Sequence, residues 1–108
     1  DAYTLLTLFA KSHLKHGTGT VASAGTISVD AAGDVVTITG STTINTINTC
    51  NAQSAGRPLT ILCGSATAAF GDLVGNVDLS AAFTCTANDT ISFMCDGTNW
   101  RETARAAN

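Results

Sequence analysis

Few residues in this 108-residue chain carry side chains that can do chemistry, and they lie far apart. The two histidines, His13 and His16, are three residues apart. On a helix this spacing places both on one side, where they could share a metal ion, or three copies could ring one on a trimer axis. Their position at the end of an apolar segment favours a simpler interpretation as polar residues near a helix terminus. We therefore predict no metal site and no cofactor.

The acidic residues do not form a catalytic pair that the sequence can identify. Asp72 and Asp78 are close in sequence, but acid–base cleavage of a glycosidic bond needs two carboxylates in one cleft. Glu102 is the only glutamate. Because no histidine follows His16, a Ser-His-Asp set within residues 26–108 is excluded. These observations predict a protein that is not an enzyme.

The single tryptophan, Trp100, directly follows a turn at Asp96 and Gly97. Its ring is a candidate for stacking on a sugar, and equally for packing over the hairpin or a subunit boundary. Its position next to the turn favours packing. We expect Arg101 to pair with Glu102, with Asp96 or with a neighbouring subunit.

The four cysteines, at positions 50, 63, 85 and 95, have neither the spacing of redox motifs nor that of zinc sites. An even number is compatible with two disulfides, in any of three connectivities. Cys63 and Cys95 each close an apolar run, and a buried free thiol behaves as a small hydrophobic residue. We favour free thiols and assembly in a reducing cytosol.

Composition limits the classes of function. The formal net charge is −3, which argues against binding nucleic acid, since nucleic acids are bound mainly through lysine and arginine. No apolar run reaches the roughly 18 residues of a membrane span, so membrane insertion is not expected. No signal peptide is recognisable. The chain begins with Asp1, which indicates processing or a longer parent polypeptide.

The chain is expected to divide into three parts. Residues 1–16 are predicted to form a helical segment for attachment or oligomerisation, with Leu6, Phe9 and the two histidines on one side. A β-strand over residues 3–9 is the alternative, because Thr4 and Thr7 weaken the helical pattern. Residues 17–25, rich in glycine, alanine, serine and threonine, are expected to be a linker. Residues 26–108 are predicted to be a β-rich module.

Short segments of alternating polarity, separated by turn residues, follow the linker. Spacing of 8–12 residues is typical of an all-β sandwich, barrel or β-solenoid. Strand–glycine patterns beginning near Val35, Leu59 and Thr90 are irregularly spaced and are interpreted as repeated hairpins rather than a solenoid period. The fold prediction is an antiparallel β-sandwich or β-prism-like module with a short N-terminal helical segment. The predicted strands cover residues 26–29, 35–39, 43–47, 59–63, 67–70, 77–79, 83–86, 90–95 and 100–105.

Charge is nearly absent from the predicted strands. Only 12% of residues are charged, and Arg57 is the only charged residue between Val35 and Gly71. The strands therefore have one apolar face and one hydroxyl-bearing face, which suits either a solvated sheet or contact with another subunit without desolvation of charge. Lysine, which commonly protects exposed strand edges, is absent after residue 15. We favour subunit packing, and we expect the oligomer contacts to include Leu6, Phe9, Arg57, Trp100 and Arg101.

Four segments in order resemble a module that recurs near the C-termini of bacteriophage tail fibres and related appendages. They are GTVASAGTI (19–27), DVVTITGSTTINTI (34–47), AGRPLTIL (55–62) and ANDTISFMCDGTNWRE (87–102). The resemblance extends from residue 17 to residue 105. It implies an all-β structural or adhesive module, commonly a homotrimer, without a cofactor. The cysteines depart from the pattern, because such modules need none.

Two functions follow as expectations. The first is a non-enzymatic structural protein of a bacteriophage virion, such as a fibre, spike or capsid decoration, that is assembled in the host cytoplasm as a homotrimer and contacts other capsid or tail proteins. The second is a receptor-binding adhesin domain that contacts a host surface glycan through Trp100.

Overall fold

The protein is an almost entirely β-structured molecule, as the sequence predicts. The computed structural model describes residues 18–29, 33–48 and 50–107. A 3-10 helix at Ala52–Ser54, capped by the side chain of Asn51, is the only helix within those residues. The strands are β1 (Thr18–Ala22), β2 (Thr26–Ser28), β3 (Val35–Thr39), β4 (Thr46–Asn48), β5 (Pro58–Leu62), β6 (Ala69–Phe70), β7 (Val77–Asp78), β8 (Phe83–Thr84), β9 (Thr90–Cys95) and β10 (Trp100–Ala106).

A six-stranded sheet forms the largest part of the molecule. Its order is β1-β3-β5-β9-β10-β7. The pairs β1–β3, β3–β5 and β10–β7 are parallel, whereas β5–β9 and β9–β10 are antiparallel. Two small sheets accompany it, the parallel pair β2–β4 and the antiparallel pair β6–β8.

Successive passes of the chain stack on one another in the first half. The chain passes through β1 and β2, and then places β3 beside β1 and β4 beside β2, with Val21 opposite Ile38 and Ile27 opposite Ile47. The next pass places β5 beside β3, with Val36 opposite Ile61. This parallel stacking suggests a β-solenoid rather than a sandwich. The predicted antiparallel sandwich or β-prism-like module is wrong in this respect.

Only the last of the repeated strand–glycine segments, near Thr90, is part of a hairpin, which β9 forms with β10. The segments near Val35 and Leu59 are β3 and β5, which stack in parallel, and the segment near Thr90 is β9, which joins β5 antiparallel. Neighbouring strands in a parallel solenoid lie one full turn of chain apart, so the turns between them do not reveal the pairing.

The alternation of residues determines which face of each strand is buried. In β3, Val36 and Ile38 are buried while Val35 and Thr39 are exposed, and β9 buries Ile91, Phe93 and Cys95. The inward residues of the six-stranded sheet and of β2 and β4 belong to a single core. Aromatic contacts join it to the small antiparallel sheet, with the Phe70 ring 5.8 Å from Phe83 and 5.9 Å from Phe93.

The predicted linker is also corrected. Residues 18–22 form β1, the edge strand of the large sheet. The carbonyl of Gly25 accepts hydrogen bonds from the backbone N–H groups of Asn45 and Thr46, both 3.0 Å, which fixes the bend between β1 and β2. A low-charge sequence of small residues resembles a linker, but here parallel pairing with β3 supplies the stabilisation that its side chains cannot. The predicted helix over residues 1–16 lies outside the described residues, and no helix within the described ranges is long and apolar enough to cross a membrane.

Candidate functional site

Several charged side chains gather around β10 and the turn that precedes it. The turn between β9 and β10 is organised by Asp96, whose Oδ1 accepts from the backbone N–H of Thr98 at 2.9 Å and of Asn99 at 2.7 Å. Gly97 takes a positive φ of 100°, so the predicted Asp-Gly turn is confirmed. The N–H groups of Asn99 and Thr98, together with Arg101, lower the pKa of Asp96 to about 2. This carboxylate is an ionised turn element rather than a proton donor.

Arg101 joins the turn to the neighbouring strand. Its Nε lies 2.5 Å from Asp96 Oδ2, and its second contact places a guanidinium nitrogen 2.8 Å from Asp78 Oδ2. The predicted pairing with Asp96 is confirmed, whereas Glu102 is not the partner. Hydrogen bonding to Asp96 raises the pKa of Arg101 further above its ordinary value.

Glu102 instead pairs with Arg105 on the other side of β10. The two side chains form a bidentate pair of 2.6 and 2.7 Å, and Glu102 Oε1 also accepts from the backbone N–H and hydroxyl of Ser80. Arg105 donates to the carbonyls of Ala81 and Ala82 and lies 5.1 Å above the Phe83 ring. Hydrogen bonding from Arg105 is the main reason why the pKa of Glu102 is lowered to about 2. The contacts of Glu102 and Arg105 hold residues 80–82, which precede β8, against β10.

Trp100 lies in the core, which corrects two predictions. Its side chain is fully buried, and the indole Nε1 donates to the carbonyl of Ile47 at 3.1 Å. A ring with no exposed face cannot stack on a sugar or cover a neighbouring subunit. The expected packing role is confirmed, but the partner is β4 of the same chain.

Arg57 pairs within the chain. Its Nε lies 3.2 Å from Asp34 Oδ1, it donates to the carbonyl of Gly33, and its guanidinium lies 5.8 Å from the centre of the Trp100 ring. Asp34 precedes β3 and Arg57 precedes β5, so the ion pair joins the starts of two stacked strands. The predicted role of Arg57 as half of an intersubunit pair is thus replaced by an intrachain role. Contacts of Arg101 with a second chain stay a prediction.

The two aspartates weighed as a catalytic pair have separate roles. Asp72 Oδ1 accepts from the backbone N–H of Leu79 at 3.0 Å, and Asp78 is bound to Arg101. Among the described residues, no group of three or more histidine, cysteine or acidic side chains is arranged to hold a metal ion.

The cysteines form two disulfides, Cys50–Cys95 and Cys63–Cys85, so the predicted free thiols are wrong. The first bond joins the segment after β4 to the end of β9, 45 residues later, and the second spans 22 residues. The apolar residues around Cys63 and Cys95 would be expected both for a buried free thiol and for a buried disulfide. The sequence pattern therefore could not distinguish the two.

An exposed apolar loop, residues 71–76, was not predicted from the sequence. Leu73 and Val74 are the most exposed large hydrophobic residues of the described chain, at 59% and 73%. Leu73 adopts a positive φ of 59°, which is uncommon for a residue with a Cβ. The signal available in the sequence was an apolar pair between two glycines, Gly71 and Gly75.

The hydroxyl-bearing faces of the strands lie on the outer side of the large sheet. Thr60 and Ser92 are opposite each other on β5 and β9, and their hydroxyls are hydrogen-bonded at 3.1 Å. Leu6, Phe9, His13 and His16 lie outside the described residues, so the structure does not place these predicted contacts.

No protein-family model, curated protein or solved structure matches the chain.

Proposed function

We propose that this chain is a non-enzymatic structural module of a bacteriophage particle, a trimeric β-rich domain of a fibre, spike or capsid decoration. One observation carries the structural part of the proposal. Each charged side chain of the described residues contacts another group of the same chain, either as an ion pair or through hydrogen bonds to backbone and hydroxyl groups. The charged side chains of these residues therefore connect strands and turns of the same chain.

The pattern of these contacts supports a mechanical role. Arg57, Arg101 and Arg105 each connect segments more than 20 residues apart in sequence. Buried or partly buried carboxylates with fixed donors resist rearrangement, because breaking one contact leaves a charge without its partner. A domain built in this way holds its shape, which is what an appendage on a particle requires.

The phage context is supported by the four ordered segments that resemble tail-fibre modules. Three of them contain paired strands of the large sheet, β1 with β3 and β5, and the fourth forms the β9–β10 hairpin. The resembling segments thus build one continuous sheet, with β7 added at its edge.

The two disulfides indicate that the mature module is located in an oxidising environment. Disulfides persist in oxidising surroundings and are rare in reducing cytosol. We propose that the chain is made in the host cytoplasm and that its two disulfides are completed in a periplasm or after release of the particle. The outer surface of a virion meets this condition.

The carbohydrate-binding alternative loses the residue on which it depended. Trp100 was the only tryptophan and is buried. No other described contact favours a glycan site, so this function is not proposed.

Quantitative mass spectrometry of purified particles of the phage that encodes the chain tests the proposal. We expect its peptides to co-purify with the major capsid protein through density-gradient centrifugation, at a copy number divisible by three. A phage replication protein followed in the same fractions controls for contamination. Recovery of the chain only in the soluble lysate, separated from particles, would overturn the proposal.

A further inference from the structure

The two disulfides lie in different environments. Cys63 and Cys85 are both buried in the hydrophobic core, and so is Cys95. Cys50 is the one cysteine of the four that is not buried. Thiol–disulfide exchange requires a thiolate to reach a sulfur atom. In the folded chain, the Cys50–Cys95 bond is therefore the one that a reductant in solution can approach.

The chain that follows Cys50 contributes no side chain to the core. None of residues 51–56 is buried. The 3-10 helix within this segment is stabilised locally by the Asn51 side chain, which accepts from the backbone N–H groups of Gln53 at 3.1 Å and Ser54 at 3.2 Å. Segments without buried apolar contacts open locally at little cost, so this segment depends on the attachments at its two ends.

Both of these attachments lead to Cys95. The disulfide joins Cys50 to Cys95 at the start of the segment, and the backbone N–H of Gly56 donates to the Cys95 carbonyl at 2.7 Å at its end. The Cys95 N–H in turn donates to the Arg57 carbonyl at 2.9 Å, which continues the pairing of β5 with β9. Opening of the disulfide therefore frees the start of the segment, while the backbone bonds at Gly56 and Arg57 keep β5 and β9 in register.

The closed segment lies next to the turn at Gly97. A Cβ added at Gly97 would lie 3.8 Å from the Cβ of Ala55, and the Sγ of Cys50 lies 3.3 Å from the carbonyl oxygen of Asn99. The turn itself is held by the Asp96 carboxylate, whose hydrogen bonds do not involve the disulfide. Release of Cys50 therefore uncovers the turn without removing the contacts that shape it.

The surroundings of the bond also suit exchange at Cys50. A thiolate that attacks the Cys50 sulfur expels Cys95 as a thiolate, and the backbone N–H of Gly97, 3.4 Å from Cys95 Sγ, can stabilise that negative charge. When the reductant is a dithiol, its second thiolate attacks the reductant sulfur that is bound to Cys50 and releases Cys50. The protein gains two electrons and two protons, and the dithiol is oxidised to a disulfide.

We propose that the Cys50–Cys95 disulfide is a redox-sensitive latch on residues 50–56. A dithiol opens it selectively in the folded chain and frees this segment, while the Cys63–Cys85 bond in the core stays closed. The latch is derived from burial and contacts alone. Only the places where each state occurs, with the latch open in a reducing host cytoplasm and closed outside it, rest on the proposed function.

Timed reduction of the native chain with dithiothreitol tests the selectivity. Samples are quenched with acid and alkylated with N-ethylmaleimide in guanidinium, so that buried and exposed thiols are labelled alike, and peptide mass spectrometry then measures each cysteine. We expect Cys50 and Cys95 to become labelled together, at least about tenfold faster than Cys63 and Cys85. Opening of both bonds at one rate, earlier opening of Cys63–Cys85, or no opening without denaturant would overturn the inference.

Hydrogen exchange of the selectively reduced chain tests the release of the segment. The amide groups of Gln53 and Ser54, which are hydrogen-bonded in the latched segment, should exchange at least about tenfold faster than in the oxidised chain. Those of β3, β5 and β9 should keep their protection. Unchanged exchange at Gln53 and Ser54 would show that the disulfide does not hold the segment, and loss of protection throughout the sheet would show global unfolding. Either result contradicts the latch.

Two variants separate the disulfide from the rest of the segment. Cys50→Ala combined with Cys95→Ala should show, without reductant, the exchange pattern of the selectively reduced chain, and dithiothreitol should not accelerate exchange at Gln53 and Ser54 further. Gln53→Ala, an exposed substitution that keeps both cysteines, is the matched control and should respond to reduction as the native chain does. A folded double variant in which residues 51–56 stay protected would refute the latch, and circular dichroism verifies that it is folded.

The latch and the proposed function can fail separately. Failure of selective reduction or of segment release would leave the proposed function in place, since that function is tested by co-purification with particles. Conversely, a chain that shows the latch but never co-purifies with particles would contradict only the proposed function and the places assigned to the two states.

Discussion

The parallel first half of the sheet and the closing hairpin are stabilised in different ways. Strands β1, β3 and β5 stack with apolar residues inward and hydroxyl groups outward, and the Asp34–Arg57 pair is the one ion pair found between their starts. Strands β9 and β10 instead carry a fixed turn, the ion pairs of Arg101 and the Glu102–Arg105 pair within about ten residues. The same sheet is thus neutral at one side and densely charged at the other.

The difference indicates what each region requires. In the parallel half, each new pass of the chain pairs with the edge of the strand before it, so pairing depends on backbone hydrogen bonds and inward apolar residues that are far apart in sequence. The hairpin pairs antiparallel with β5, and its charged side chains hold Asp78 of β7 and residues 81 and 82 against β10. The neutral strands form the parallel part of the sheet, and the charged side chains hold the hairpin to its neighbours.

Loss of the disulfides should have the largest effect on this arrangement. In the loop-entropy model, the 45-residue and 22-residue spans contribute about 4 and about 3 kcal/mol to the free energy of unfolding. Small domains have only about 5–15 kcal/mol in total, so reduction of both should unfold much of the chain. Guanidinium titration of Cys50→Ala with Cys95→Ala, and of Cys63→Ala with Cys85→Ala, measures each contribution.

The Cys50–Cys95 disulfide joins the parallel half to the hairpin, so its removal tests whether the two regions unfold independently. We expect a single cooperative transition, since both halves share one core. Hydrogen exchange in which β9 and β10 lose protection while β1 to β5 keep theirs would show two separately stable regions instead.

Trp100→Ala should have the next largest effect, a decrease of about 3–5 kcal/mol in the free energy of unfolding. The indole comes from the hairpin but fills space under β4, where it donates to Ile47. Thermal melting measures the loss, and hydrogen exchange at Ile47 reports whether it reaches the parallel half.

Trp100→Phe is the matched control, because it keeps a ring but removes the donor. We expect it to lower the free energy of unfolding by only about 1–2 kcal/mol, since the Ile47 carbonyl retains its hydrogen bond from Asn76. An alanine variant no less stable than the phenylalanine variant would contradict the role of the indole as a filler of the core.

The sequence predicted the hairpin well because its determinants are local. Asp96 and Gly97 define the turn, and the alternation in β9 fixes which residues face inward, so β9 has its predicted bounds. The bounds of β3 were also predicted, and most other strands differ by one to three residues. Period-two alternation locates a strand regardless of which strand it pairs with.

The pairing of the parallel half could not be predicted in the same way. Val36 faces Ile61 across 25 residues, and any buried apolar strand would satisfy the same pattern. The same limit applies to the disulfides and to Trp100, whose partner Ile47 is 53 residues away. β1 was missed because Thr18 to Ala22 has little hydrophobicity of its own and becomes a strand through its neighbour.

Acid should destabilise the fold through the charged side of the sheet. The pKa values of Asp96 and Glu102 are lowered to about 2, from ordinary values of 3.8 and 4.5. Their contribution to stability is therefore complete above about pH 4.5 and is lost as the pH falls towards 2. We expect a melting temperature that is constant between pH 7 and 5 and that falls below pH 4.5.

Glu102→Gln tests the origin of this acid dependence. The substitution should lower the free energy of unfolding by about 1–2 kcal/mol at pH 7, because a neutral amide accepts a weaker hydrogen bond from Arg105. It should also flatten the dependence of the melting temperature on pH. Thr103→Ser, at the adjacent exposed position, is the control and should keep the native profile. A pH profile that Glu102→Gln leaves unchanged would assign acid sensitivity to other groups.

The smallest expected effect is an increase in stability at the loop of residues 71–76. Leu73 has a φ of 59°, and asparagine adopts this conformation more readily than leucine, so Leu73→Asn alone should raise the free energy of unfolding by about 0.5–1 kcal/mol. Guanidinium titration measures this change in the free energy of unfolding. Val74→Asn, whose backbone is not in the left-handed region, is the control and should change stability by less than about 0.5 kcal/mol. A leucine that stabilises the isolated chain relative to asparagine would mean that it packs within its own molecule. A gain in stability with asparagine would show that the Leu73 side chain does not stabilise its own chain, which distinguishes this loop from both the neutral strands and the charged turns.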